Sequence, residues 1–374
     1  MNSINEWSIF FYCSVIIFST ITLGYVSKIS DKKRRYIAYI ILTIITSLVA
    51  GFRDTTGTDS AMYKYMFITN DYHLNINGQI GRAVSVEKGY IFINSLARKI
   101  MPYSMFLFCI SFVTIYLLIL CIDRYRNDIN VYIAALVLYT TIYLTSFNIM
   151  RQGLAISIGL FGFFEYLNDK KITALVFIIV AILIHTSAII LLLIFGVKKI
   201  CNSKNSKIYM SVVLLISVVL VRERNLLGYI VEFVTRSDYY AGYFIRDAAT
   251  GSNLYKYFLR ISPVLCIALL YLFNFKENNN FKIIIFMMIL GYILAGIGSE
   301  TDTQVGRIGL YFQTLDIYAT GYMSNTDLRI GKLIVDRKII GLIIGLYFVI
   351  WFIYSIIINN NGQLIPYIPF QSWR

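Results

Sequence analysis

A run of about 20 apolar residues is long enough to cross a bilayer as a helix, and this chain repeats such runs from end to end. They lie near residues 7–27, 36–52, 103–122, 131–147, 150–167, 207–221, 254–274, 282–298, 305–323 and 338–358, with a further apolar run at 172–197. Of the 374 residues, 58% are hydrophobic and 14% charged, against about 25% charged in soluble domains. A soluble fold of this length could not hide so much apolar surface, whereas lipid accepts it directly. Helices satisfy their own backbone groups in hydrocarbon. The sequence therefore predicts an all-α, polytopic integral membrane protein of about 11–12 helices. It reads as one membrane domain over 1–374, with larger loops at about 53–102 and 222–253. The first run, Trp7 to Val26, lacks a small-residue cleavage site and reads as a retained span.

Basic loops set the orientation. Lys28, Lys32, Lys33, Arg34 and Arg35 mark the cytoplasmic side, which puts the loop after residue 52 on the opposite face. Arg124/Arg126 and Lys170/Lys171 then fall inside as expected. If 172–197 crossed once, the lysines at 198, 199, 204 and 207 would land outside. A break at His185-Thr186-Ser187, making two short or re-entrant helices, returns them inside. On that reading nineteen of the thirty-four basic residues lie inside, thirteen of them lysine. The fifteen outside include eleven arginines and four lysines. Either cation sets topology, but arginine is favoured where planar, bidentate contact with phosphate or carboxylate matters. The outer face therefore reads as built to hold anions.

The formal charge of +14 would suggest nucleic acid in a soluble protein; here loop placement accounts for much of it, and no nucleic-acid partner is expected. Cys13, Cys109, Cys121 and Cys266 fall in apolar runs and Cys201 in a lysine-rich loop, without CxxC spacing, so no disulfide framework or zinc site is indicated. The absence of HExxH, DxD and nucleotide-binding glycine-rich motifs argues against a metal centre, a cofactor or a nucleotide-sugar donor.

The polar residues at the outer ends are unusual. Gly51-Phe52-Arg53-Asp54-Thr55-Thr56-Gly57-Thr58-Asp59-Ser60-Ala61-Met62-Tyr63 packs an arginine, two aspartates and two glycines directly after a nearly uncharged run. If Thr58 caps a helix starting at Asp59, then Asp59, Tyr63 and Phe67 share a face; the bland alternative is a capped loop with a local Arg53–Asp59 ion pair. Ser60–Ile68 and Glu87–Ile100 read as amphipathic helices that lie on the membrane surface or cap the bundle. Arg151 opens the run at 150–167; an arginine there either snorkels or faces a polar cavity. His185 sits at the break in 172–197, and its near-neutral titration would suit proton transfer. Arg307 opens another run after Glu300 and Asp302. Asp316, deeper in that run, calls for a cationic partner such as Arg260. Topology brings Arg53, Asp59, Glu87, Arg151, His185 and Arg307 to one side, as an arginine-lined polar cavity with candidate bases.

This constellation resembles the EpsG-type family of polysaccharide polymerases, which includes Wzy O-antigen polymerases. Arg53 through Gly57, Asp59 and Tyr63 is similar to the family's R-x3-G-x-D-x3-Y signature, and Glu87-Lys88-Gly89-Tyr90 to its E-x-G-Y element. Arg151-Gln152 is similar to its RQ element. His185-Thr186-Ser187-Ala188, Arg307 with Tyr311-Phe312, and Pro366-Tyr367 follow in the family's order. The resemblance implies transfer of a growing glycan from one undecaprenyl-diphosphate carrier to the terminal sugar of another repeat unit, at the outer face of a bacterial cytoplasmic membrane, Gram-negative or Gram-positive. It further implies that Arg53, Arg151 and Arg307 hold the donor diphosphate, that Asp59, His185 or Glu87 is the base, and that Tyr63 and Tyr90 shape the glycan path. Expected partners are the lipid-linked oligosaccharide, the bilayer and a chain-length regulator of the same pathway. A flippase for the same lipid would show access on both leaflets and a two-fold internal repeat; another polyprenyl-phosphate-dependent glycosyltransferase is opposed only by the motifs.

Overall fold

A computed structural model describes residues 3–72, 86–223, 254–274, 279–299 and 306–369. The segment 224–253, most of the second expected outer loop, lies outside the described residues, as do Glu300 and Asp302. Among the described residues the chain is almost wholly helical, in agreement with the fold class expected from sequence. Five helices are long and apolar enough to cross a membrane: Asn5–Val26, Lys32–Gly51, Tyr103–Arg124, Leu254–Asn274 and Arg337–Ile358. Three shorter apolar helices accompany them, Val131–Thr145, Lys171–Ile184 and Asn280–Gly296. The protein is a multi-pass membrane protein.

The chain divides into two compact units, the first comprising residues 1–127, 131–189 and 348–374 and the second residues 128–130 and 190–347. In the first, α1 (Ser3–Val26), α2 (Lys32–Gly51), α5 (Tyr103–Arg124), α6 (Val131–Thr140), α8 (Met150–Leu167) and α9 (Lys171–Ile184) form the bundle. Two short surface helices, α3 (Ser60–Thr69) and α4 (Lys88–Ile100), and the single turn α7 (Ile142–Thr145) complete it. Asp31 starts α2 by accepting a hydrogen bond from the Arg34 backbone N–H at 2.7 Å, an N-cap on an end that would otherwise leave donors unpaired.

Charge pairs fix the register at one end. Arg35 at the start of α2 donates to Asp123 at the end of α5 at 2.8 Å, and Tyr39 donates to the same carboxylate at 3.0 Å. Arg126 lies 3.5 Å from it. Arg124 pairs with Glu165 near the end of α8, which also meets Lys170 at 3.2 Å. These are the loops assigned to one membrane side from their basic residues. The pairings bring them to one end of the bundle, and the starts of α5 and α8 and the ends of α2 and α9 to the other.

The apolar run at 172–197 is broken at His185, as its sequence suggested. Helix α9 stops at Ile184, Thr186–Leu192 is 3-10, and α10 (Leu193–Cys201) resumes in the second unit. That unit continues with α11 (Ser206–Arg222), α12 (Leu254–Asn274) and α13 (Asn279–Gly296). The expected span at 305–323 is instead a 3-10 turn at Arg307–Gly309 followed by α14 (Leu310–Gln313) and α15 (Asp316–Met323). A small antiparallel hairpin pairs β1 (Leu328–Ile330) with β2 (Leu333–Val335), ahead of α16 (Arg337–Phe352).

Candidate active site

Glu87 is the centre of a buried polar cluster in the first unit. It occupies the N-cap position of α4 without capping it, because its carboxylate turns toward α8 and α9. One oxygen accepts from Arg151 Nη1 at 2.8 Å. The other meets His185 Nδ1 at 2.6 Å and accepts from the Thr186 N–H at 3.1 Å and the Thr186 hydroxyl at 3.3 Å. The Glu87 and Arg151 side chains are only 9% and 10% exposed and that of His185 24%. Burial alone would push the Glu87 carboxyl up; the His185 hydrogen bond and the His185 and Arg151 charges outweigh it and hold the carboxyl at about 2. Glu87 is thus ionised and a poor proton acceptor near neutral pH. Since a carboxylate only accepts, the His185 nitrogen facing it, Nδ1, carries a proton.

The E-x-G-Y spacing has a local physical basis. Gly89 abuts the end of α9 so closely that a Cβ there would lie 2.4 Å from the Leu183 carbonyl oxygen, so only glycine lets Glu87 reach His185. One residue on, Tyr90 is buried beneath Arg151, whose guanidinium carbon lies 5.6 Å from the ring centroid. The Tyr63 ring meets the Tyr90 ring edge-on at 6.3 Å. The two expected glycan-path tyrosines therefore stand together at the same arginine. Arg151 does not snorkel: it is buried against a carboxylate.

Arg53 is more unusual still. It is 2% exposed, and among the described residues no carboxylate pairs with it. Its Nε and Nη1 are buried without a hydrogen-bond partner. The guanidinium carbon lies 4.3 Å from the Phe147 ring centroid, a cation–π contact that stabilises the charge only in part. Burial lowers the Arg53 pKa, opposed by the phenols of Tyr103, Tyr12, Tyr367 and Tyr143; arginine nevertheless stays protonated. All four phenols are spent on carbonyls, Tyr12 on Leu364 at 3.0 Å, Tyr143 on Thr46 at 2.9 Å, Tyr367 on Val49 at 2.9 Å and Tyr103 on Ser60 at 3.4 Å. The site therefore holds a desolvated cation with idle donors, the arrangement that an anion completes.

Two expectations for this stretch are corrected. Helix α3 starts at Ser60, so Asp59, not Thr58, is its N-cap residue, and the Asp59 side chain makes no capping bond. The Ser60 hydroxyl instead donates to the Gly57 carbonyl at 2.7 Å, and the Thr58 hydroxyl donates to Asn148 Oδ1 at 3.3 Å. Nor do Arg53 and Asp59 form an ion pair; the local pair is Lys64–Asp54 at 2.6 Å.

The structure thus joins Glu87, Arg151, His185, Tyr63 and Tyr90 directly, and sets Arg53 in the same unit against Phe147, four residues before Arg151. Arg307 belongs to the second unit, half-buried in its 3-10 turn. In that unit Asp316 is held by the Tyr292 hydroxyl at 2.7 Å, and among the described residues no arginine pairs with it and its Oδ1 has no hydrogen-bond partner. Arg260 lies instead over the Tyr257 ring at 5.7 Å. A phenol can satisfy a carboxyl oxygen without adding a charge, which the search for a cation overlooked. Sequence reading also missed Phe147 and Asn148. Both sit in an uncharged loop, and only their place just before Arg151 could have marked them.

No curated protein and no solved structure gives a match to the chain. The family comparison, in contrast, matches the EpsG family across residues 36–369. That span takes in Arg53, Glu87, Arg151, His185 and Arg307, and membership implies a polysaccharide-polymerase-like role. With nearly its whole length matched, the chain belongs to the EpsG family.

Proposed function

We propose that the protein polymerises oligosaccharide repeat units carried on undecaprenyl diphosphate into O-antigen or a related surface polysaccharide, as a glycosyltransferase of the Wzy type acting at the outer face of the bacterial cytoplasmic membrane. The observation that carries this reading is Arg53, a buried guanidinium with two unpartnered nitrogens. A lipid diphosphate brings the charge it lacks, and the same contacts strengthen as the diphosphate departs with additional charge.

In the proposed reaction, an acceptor sugar hydroxyl forms a bond to the donor's anomeric carbon while the bond from that carbon to the diphosphate oxygen breaks. The bond electrons leave with the diphosphate, which Arg53 and Arg151 hold. Arg151 has one nitrogen committed to Glu87 and its Nε still unpartnered. The hydroxyl proton passes to His185 Nε2. Glu87 is assigned to orient His185 through Nδ1, which follows from its low pKa and matches the carboxylate–histidine logic of other acyl- and group-transfer sites. Asp59 is then the reserve candidate for the base, and Tyr63 and Tyr90 line the glycan path. The diphosphate role that the resemblance implies for Arg307, in the second unit, is a separate proposal, which Arg307→Ala tests by the saccharide profile described below. A chain-length regulator is the expected protein partner.

The test is the saccharide profile, by gel electrophoresis, of a strain whose own polymerase gene is replaced by variants of this one. Arg53→Ala and His185→Asn should each reduce the long ladder to single-repeat material at normal protein level. Long ladders in Arg53→Ala would overturn the diphosphate assignment, and long ladders in His185→Asn would return the base role to Asp59.

A further inference from the structure

The Arg53 turn is held by more than its own neighbours in sequence. It is also held by the segment Asn360–Pro369, roughly 310 residues away by the numbering. The Asp54 N–H donates to the Ile368 carbonyl at 2.9 Å, the Gly57 N–H to the Gln363 carbonyl at 3.2 Å and the Thr58 N–H to the Gly362 carbonyl at 3.0 Å. In return the Ile368 N–H donates to the Thr56 hydroxyl at 2.7 Å, and Arg53 itself forms an antiparallel bridge with Pro369. The segment is anchored to the helices in turn. The Tyr367 hydroxyl donates to the Val49 carbonyl at 2.9 Å, its N–H donates to the Ser8 hydroxyl at 2.9 Å, and its ring packs on Phe11 and Tyr12.

Asn148 locks the two strands of this arrangement together. A Cβ on Gly57, whose φ is +106°, would lie 2.5 Å from Asn148 Oδ1, and one on Gly362, whose φ is +80°, would lie 1.9 Å from Asn148 Nδ2. Both backbones therefore close on one amide from opposite sides, three residues before Arg151. An ordinary surface loop carries few such ties. Here the ties converge on the turn that carries Arg53, whose Nε and Nη1 are idle.

We propose that the segment Gly362–Pro369 is a working wall of the anion site, and that Thr56 and Tyr367 are positioning residues which fix the Arg53 guanidinium for a diphosphate. This rests on the diphosphate reading of Arg53 given above. Preorganised donors bind a charged group without first being ordered, so loosening the wall weakens binding without removing any charge.

Binding of a short isoprenoid diphosphate, farnesyl diphosphate, to the full chain in detergent micelles tests it. Thr56→Val keeps the buried side-chain shape and removes the hydroxyl that accepts from Ile368; it should weaken the probe about tenfold, the scale of one lost hydrogen bond in a preorganised site. Thr56→Ser restores the hydroxyl and should restore affinity. Tyr367→Phe keeps the ring contacts and frees the Val49 carbonyl, so it should weaken the probe in the same direction, and it decides the matter if Thr56→Val fails to fold. Wild-type affinity in both Thr56→Val and Tyr367→Phe, with binding lost in Arg53→Ala, would overturn the wall and leave the diphosphate reading intact. Weakened affinity in those two variants with normal binding in Arg53→Ala would overturn the Arg53 role and leave the wall. Wild-type affinity in all three would overturn both.

Discussion

Replacing Glu87 with glutamine tests the central cluster most directly, because its size is kept and only its charge is lost. The carboxyl is held at about 2 against an ordinary 4.5, and at about 1.36 kcal/mol per decade that interval corresponds to about 3 kcal/mol of differential stabilisation. Solvent reaching the partly exposed His185 screens part of it, which leaves about 2 kcal/mol. The sign follows from the direction: Glu87 is depressed in the folded protein, so its contribution is full above 4.5 and fades as pH falls toward 2. At pH 7.5, Glu87→Gln should lower the apparent melting temperature in detergent micelles by about 2–3 °C. By pH 3 the wild type retains only about two-fifths of the contribution, and the gap to the variant should shrink accordingly. Other carboxylates titrate in both proteins and cancel in the difference. A gap that is constant with pH, or no gap at pH 7.5, would refute the pairing of an ionised Glu87 with Arg151 and His185.

Other perturbations separate the site from its scaffold. Asp123→Asn leaves the buried Arg35 guanidinium without its carboxylate and should cost about 3–5 kcal/mol, read as a lower melting temperature, with unchanged farnesyl diphosphate affinity in the folded fraction. Gly57→Ala forces a side chain into a φ of +106° and against Asn148. Thermal unfolding should show a loss of about 1–3 kcal/mol, and pairing it with Asn148→Gly should recover only the steric part. Phe147→Leu removes the ring stacked on Arg53 and should weaken diphosphate binding by about 0.5–2 kcal/mol, measured by titration with the same probe.

The helices were legible because hydrophobicity in lipid is a strong, local signal. The run predicted at 150–167 is α8, Met150–Leu167, and that at 254–274 is α12, Leu254–Asn274. The two amphipathic stretches outside the spans became α3 and α4, and the lysine pattern after residue 197 correctly demanded a break at His185. The run at 305–323 misled for the opposite reason: it is largely apolar apart from Arg307, Asp316 and a few uncharged polar residues, but it is 3-10 and short helix, and composition does not report where a backbone turns. At the site, residue types announced Glu87, Arg151 and His185, and their shared membrane side announced that they could meet. Which of them would be partners was not readable, since Glu87 finds His185 only through the close approach at Gly89. Arg53 was marked by its place after a span, whereas the idleness of its donors depends on Phe147 and on phenols supplied from residues 12, 103, 143 and 367. No local window of sequence contains that information.

The distance along the chain between the Arg53 turn and its wall also bears on synthesis. Arg53 emerges early and enters its span boundary long before Gly362–Pro369 has been made, so the proposed anion site is incomplete on a nascent chain. Closing a loop of that length costs entropy that grows only slowly with its size, and the anchored aromatic of Tyr367 and the ties at Thr56 are positioned to offset it. On the proposed reading, the diphosphate site is complete only once that late segment has docked.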